Sequence, residues 1–232
     1  MIQVLVNADD FGLTRGVNHA IIDCYRYGLV NSTTMLVNMP AASHAAELAK
    51  ANPGLRVGIH LTLTCGKPVS DAPSLTKADG TFRLSNRYGD ETVDVIAAEQ
   101  EWEAQIHKFL SYGLEPSHLD SHHHIHCWEP LFPVIQRLSQ KYGLPVRNGF
   151  SPEKAINRLS DELRTDFYGD GVTLDYFNKL ESTTGSVIEI MCHPAYVDAE
   201  LRRLSSYCDK RADEAKVLIN SSLPSGFVLL GR

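Results

Sequence analysis

The 232-residue sequence predicts an α/β fold of about seven parallel strands, and three observations lead there. Short runs rich in apolar and β-branched residues alternate with segments of helical periodicity, an order that places helices outside a parallel sheet. The chain is long enough to bury a large core, and α/β barrels of this length commonly form one domain, so residues 1–232 are read as a single domain. Polar residues of the catalytic type recur where the strands end, which is where parallel α/β folds keep their sites.

The elements follow in order. Residues 2–7 are an apolar strand, 16–27 an amphipathic helix, and 32–37 a second strand. An Ala-rich helix over 41–51 leads to a strand over 56–60. The rhythm breaks at 61–90, some thirty residues rich in Gly, Pro, Ser, Thr and Asp; a loop this long inside a compact domain is usually functional or disordered. It resumes with a helix over 91–112, a strand over 116–120, a helix over 130–142 and a short strand at 144–147. Residues 151–185 are the least legible, mixing a helical pattern with the Tyr168-Gly169-Asp170-Gly171 turn. An apolar strand at 187–192, a mostly helical stretch at 199–220 and a last strand at 226–230 complete the chain. Such a set closes into a (β/α) barrel or stays an open doubly wound sheet, and periodicity leaves both open.

Composition removes several classes of function. Net charge is −6, and Lys and Arg are dispersed, whereas a nucleic-acid surface needs clustered positive charge. Five cysteines, with no CxxC, argue against a disulfide framework and a thiolate zinc site, and suit a reduced compartment. The amino terminus shows no signal-peptide pattern, and no apolar run approaches the roughly 18 residues that span a bilayer. The expectation is a soluble cytoplasmic protein with a small-molecule partner, neither nucleic acid nor membrane, and a homodimer as the default assembly.

The stretch 118–126 holds five of the ten histidines and Asp120 within nine residues. Imidazole and carboxylate are ligands for a divalent metal, and this cluster is internal, where an affinity tag would be terminal. Its neighbours at strand ends include Asp9 and Asp10, His60, His118, Asp120 and His122, then Arg147 and His193. Asp9 and Asp10 alone would read as turn chemistry, and His60 or His193 alone as a satisfied core histidine. Two adjacent carboxylates repel, however, and a divalent cation holds both ionised. Not all five histidines of the run can bind one ion, so His124 and His126 are candidates for substrate contact, orientation of a ligand, or packing. Trp128 and Tyr88 could stack on a sugar ring, whereas helical surroundings give Trp102 a core role.

Taken together, Asn7-Ala8-Asp9-Asp10-Phe11-Gly12, Gly58-Ile59-His60-Leu61, His118-Leu119-Asp120-Ser121-His122-His123-His124 and Met191-Cys192-His193-Pro194 resemble the YdjC-like carbohydrate deacetylase family, which includes chitooligosaccharide deacetylases. The resemblance covers nearly the whole chain and implies a barrel-like (β/α) fold. It implies that Asp10, His60 and His122 bind one divalent ion, Mg²⁺ or Zn²⁺. Asp9 then resembles the general base, steadied by Arg147, and His193 the general acid. The implied reaction is removal of acetyl from an N-acetylated sugar by water that the ion activates. No GxSxG nucleophile motif competes with it. The alternatives are a metal-dependent phosphoesterase or other amide hydrolase, a non-catalytic sugar- or metal-binding module, and non-haem iron oxygenase chemistry on the same two-His, one-carboxylate shell.

Overall fold

The computed structural model describes residues 1–181 and 185–231. Three residues of the illegible stretch, 182–184, and the last residue, 232, lie outside it. Seven strands form one sheet in which every pairing is parallel: β1 (Ile2–Phe11), β2 (Ser32–Met35), β3 (Arg56–Leu61), β4 (Leu119–Ser121), β5 (Glu162–Arg164), β6 (Val187–Cys192) and β7 (Phe227–Leu229). The order is β4-β3-β2-β1-β6-β5, with β7 paired to the start of β1. Because β2 joins β1 only from Asn7 onward, β7 takes the vacant edge at Ile2 to Val4. The sheet curls into an open half-barrel with helices α1 (Arg15–Tyr27), α2 (Ala42–Lys50), α3 (Val95–Ser111), α4 (Phe132–Tyr142), α5 (Ala199–Leu204) and α6 (Asp209–Asn220) around it. Of the two forms that periodicity allowed, the barrel is the observed one, incomplete.

Strand alternation sorts the chain into a packing face and a chemical face. Val4, Val6 and Ala8 of β1, Val57, Ile59 and Leu61 of β3, and Ile188, Ile190 and Cys192 of β6 join the apolar core. Residues of the opposite parity turn into the curl, and several are polar and buried: Asn7 and Asp9, His60, Asp120 and Glu189. Gly58 sits on this inner face because a Cβ there would come within 2.6 Å of the His118 ring. Trp102 of α3 is fully buried, as its helical surroundings suggested.

Three departures from the sequence reading have local causes. The strand expected at 144–147 shrinks to Val146, which bridges Leu119 on one side and Arg158 on the other. Pro145 has no amide hydrogen to extend a ladder, and the chain bends at Asn148. The helix expected at 199–220 divides into α5 and α6. Ser205 Oγ accepts the Tyr207 amide hydrogen at 3.1 Å, offering the backbone an alternative to the helix. The helix expected from 91 starts at Val95, because Asp94 accepts the Ala97 amide as its N-cap. β5 lies within the stretch that showed no pattern. No helix among the described residues is long and apolar enough to cross a membrane.

Candidate active site and metal centre

Strand ends supply the site. β1 delivers Asp9 and Asp10, β3 His60, and β4 Asp120 and Ser121, with His122 opening the 3-10 turn His122–Cys127. Val146 places Arg147 in the gap beyond β4, and β6 ends in Cys192 just before His193. Consecutive side chains on a strand normally point apart, yet Asp9 and Asp10 line one cavity. Asp10 has φ +70, and the β1–β2 register slips between Ala8 and Phe11, so a local twist turns the second carboxylate inward. Strain of this kind in a non-glycine residue concentrates at functional sites.

The cavity has a volume of about 530 Å³ and is lined by Asp9, Asp10, His60, His122, His123, His124 and His193, with Tyr168, Tyr207 and Arg211 among the rest. Asp10 is fully buried, and its Oδ2 accepts from Arg211 Nη2 at 2.7 Å. Its Oδ1 lies 2.9 Å from His122 Nδ1 and 3.5 Å from His60 Nε2, but takes part in no hydrogen bond of acceptable geometry. Ligand atoms of Asp10, His60 and His122 all lie within 4.8 Å of one another. A buried acceptor flanked by two imidazole nitrogens is what a cation site looks like before the cation arrives. Burial opposes charge on His122, but the Asp10 carboxylate overcomes it and raises the imidazole pKa to about 10.

His60 is already oriented for that duty. Its Nδ1 faces Asp120 Oδ1 at 2.7 Å, leaving Nε2 aimed at Asp10, the carboxylate–histidine arrangement that fixes a ligand's tautomer. Asp120 in turn accepts from Thr34 Oγ1 at 2.9 Å and pairs with Arg147 Nη1 at 2.9 Å. A second carboxylate–imidazole group, Asp9, His60 and Asp120, is also close enough for a metal. Its oxygens are already taken by Arg147, Thr34 and His60, so the first group fits an ion better.

Arg147 is fully buried and serves three acids. It grips Asp9 through both terminal nitrogens at 2.6 Å and gives Nε to Glu189 Oε1 at 2.7 Å. Burial alone would raise the Asp9 pKa, but the guanidinium wins and holds the carboxyl well below the ordinary range. Glu189, shut away from water with Oε2 unpaired, is pushed up to about 7. His193 Nε2 stands 3.9 Å from Asp9 Oδ2, and burial lowers its imidazole to about 4.

Of the residues singled out from sequence, Asp9, Asp10, His60, His122, Arg147 and His193 come together here. His124 lines the cavity; both it and His123 adopt left-handed backbone, with φ 53 and 57. His126 does not reach the cavity: it is fully buried behind the wall, its Nδ1 2.6 Å from Ser121 Oγ and its ring edge-on to Phe150. Tyr88 and Trp128 lie outside the lining, their rings 5.3 Å apart, with Tyr88 OH donating to the His123 carbonyl. Arg211, Glu189, Tyr168, Tyr207 and Glu214 escaped the sequence reading. Glu189 carried a signal, a carboxylate inside the apolar run Val187–Cys192; the others sat on helix or loop without one.

Known proteins are similar over the full length. The family model for YdjC-like proteins matches residues 3–226. A carbohydrate deacetylase of Halalkalibacterium halodurans is 49% identical over 98% of this chain and all of its own. One from Geobacillus stearothermophilus is 45% identical, covering 94% of this chain and 90% of its own. A crystal structure from Enterococcus faecalis V583, named for cellobiose-phosphate cleavage, superposes with a TM-score of 0.88 at 35% identity, covering 95% of this chain and 91% of that one. With the four sequence motifs meeting in one cavity and the likeness running from the first strand to the last, the chain belongs to the family of YdjC-like proteins.

Proposed function

We propose that this chain is a divalent-cation-dependent hydrolase that removes the acetyl group from N-acetylated sugars, chitooligosaccharides or related N-acetylglucosamine compounds. One observation carries the reading: Asp10 Oδ1, unsatisfied between two imidazole nitrogens, shares a cavity with an arginine-bound Asp9 and with His193. Full-length likeness to proteins named carbohydrate deacetylases supports the reaction class. Asp10, His60 and His122 would hold the ion, and two imidazoles with one carboxylate suit Zn²⁺ or another transition ion better than Mg²⁺. When bound, such an ion polarises the acetamide carbonyl and brings a water pKa from about 16 to about 7.

The chain's own groups carry the proton. Asp9 stays ionised against Arg147 and takes a proton from the attacking water. Arg147 occupies both its oxygens, so the base cannot rotate away. His193 Nε2, 3.9 Å from Asp9 Oδ2, is placed to receive that proton and hand it to the departing nitrogen. An imidazolium depressed to about 4 is a ready donor, and an amide nitrogen leaves only once protonated. Hydroxide adds to the acyl carbon, the C–N bond breaks, and acetate and a free amino sugar result, with no bond to the chain.

A two-ion phosphoesterase fits less well, because Arg147, Thr34 and His60 already engage the carboxylates that would bridge a second ion. Five cysteines without a disulfide among the described residues suit a reducing compartment, which supports a cytoplasmic location. Acetate release from short N-acetylated chitooligosaccharides is the test. Metal-replete protein is expected to release acetate, and a chelator to stop it until Zn²⁺ is restored. No release from any short acetylated sugar, phosphorylated or not, contradicts the reading.

A further inference from the structure

The cavity wall has two characters. Asp9, Asp10, His60 and His122 make one side; beside His193 the wall is formed by Tyr168, Tyr207 and Leu204. Large apolar side chains that remain exposed are scattered over the molecule, and of those described only Tyr168, at 45%, and Leu204, at 40%, line this cavity. An aromatic ring left open inside a polar pocket costs solvation unless a ligand covers it.

The stacking partner of Tyr168, Tyr207, is anchored by hydrogen bonds. Tyr207 OH donates to Glu214 Oε1 at 2.5 Å and accepts the Gly169 amide hydrogen at 3.0 Å. Tyr168 stacks on it, with centroids 4.0 Å apart and planes 20° from parallel, and meets His193 edge-on at 5.6 Å. Glu214 also accepts the His193 backbone amide hydrogen, so one buried carboxylate ties the aromatic pair to the candidate acid.

The reaction itself orients a substrate across this wall. Its acetyl carbonyl must face Asp10, His60 and His122, and its nitrogen must face His193. The ring that carries the nitrogen then extends toward the neighbours of His193, and those are Tyr168 and Tyr207. A pyranose presents an apolar C–H face, which suits the exposed aromatic surface of Tyr168. We infer that Tyr168, backed by Tyr207, is the platform on which the pyranose bearing the acetamido group stacks, making Tyr168 a specificity-determining residue. This inference rests on the deacetylase reading. It requires the aromatic ring and not its hydroxyl, and it favours a cyclic sugar over an acyclic acetamide.

Steady-state acetate release from N,N′-diacetylchitobiose, with the metal-replete full chain, tests it. Tyr168→Ala is expected to raise KM about tenfold, the scale of one lost ring contact, with kcat within about twofold. Tyr168→Phe should behave as the unaltered protein. Tyr168→Leu keeps the apolar bulk without the flat face and should raise KM as well, which keeps the test sharp should the alanine variant unfold by circular dichroism. An unchanged KM in folded Tyr168→Ala or Tyr168→Leu overturns the inference. So does a loss confined to kcat, which would make Tyr168 a support for His193 alone, or a Tyr168→Phe variant as impaired as Tyr168→Ala. If the unaltered protein releases no acetate, the deacetylase reading falls and this inference with it.

Discussion

Asp9 and Asp10 are neighbours in sequence with opposite electrostatic situations. Arg147 occupies both oxygens of Asp9, whereas Arg211 takes only Oδ2 of Asp10 and leaves Oδ1 between His60 and His122. Asp9→Asn is therefore expected to lower turnover about a hundred- to ten-thousandfold while metal content stays at the unaltered level. Asp10→Asn and His122→Ala should instead strip the ion, as read by elemental analysis after dialysis. Loss of metal from Asp9→Asn with retention in Asp10→Asn would reverse the two roles. Sequence exposed both carboxylates and both histidines through strand-end position. It could not show that they converge, because an alternating strand would point Asp9 and Asp10 apart; the positive φ at Asp10 leaves no trace in residue type. The histidine run likewise shed members: His126 is packed against Ser121 and Phe150, and His118 lies buried beneath Gly58.

At the scale of elements, the long irregular stretch after β3 is organised from α3. Glu101, fully buried, accepts the amide hydrogens of Val69 and Ser70 at 2.8 Å each and the Ser70 hydroxyl at 2.5 Å. Gln105 clasps Thr62 by its amide hydrogen and its carbonyl. The stretch thus delivers Thr64, Cys65, Ser85 and Asn86 to the cavity on a fixed footing. Glu101→Ala strands two amides and should cost about 2–3 kcal/mol. Hydrogen exchange should accelerate at Val69 and Ser70; unchanged protection there would contradict the anchoring role. Elements with a strong helical period were legible in sequence, as the amphipathic α1 shows. Those resting on tertiary support were less so: three-residue β5, made by pairing with β6, showed no pattern, and the strand expected at 144–147 is reduced to Val146, bridged to Leu119 and Arg158.

The whole molecule places titratable groups where their shifts oppose one another. Burial lowers His118, His124 and His193 to about 4 and His123 and His126 to about 3, and raises Glu189 and Glu214 to about 7. Between about pH 4.5 and 6.5 those five histidines bind protons in the unfolded chain and not in the folded one, while the two glutamates do the reverse. Five against two leaves an excess of protons on the unfolded chain, so stability of the ion-free protein should rise with pH across that window. Chemical denaturation at several pH values measures this, and a flat or falling profile would contradict it. The curled sheet gathers all this charge at one mouth, and the central claim is that the mouth holds a cation on Asp10, His60 and His122. Anomalous diffraction from a crystal grown with Zn²⁺ tests that most directly. The account predicts one dominant peak within bonding distance of Asp10 Oδ1, His60 Nε2 and His122 Nδ1; a peak on other histidines of the 118–126 run, with Asp10 Oδ1 left bare, would contradict it.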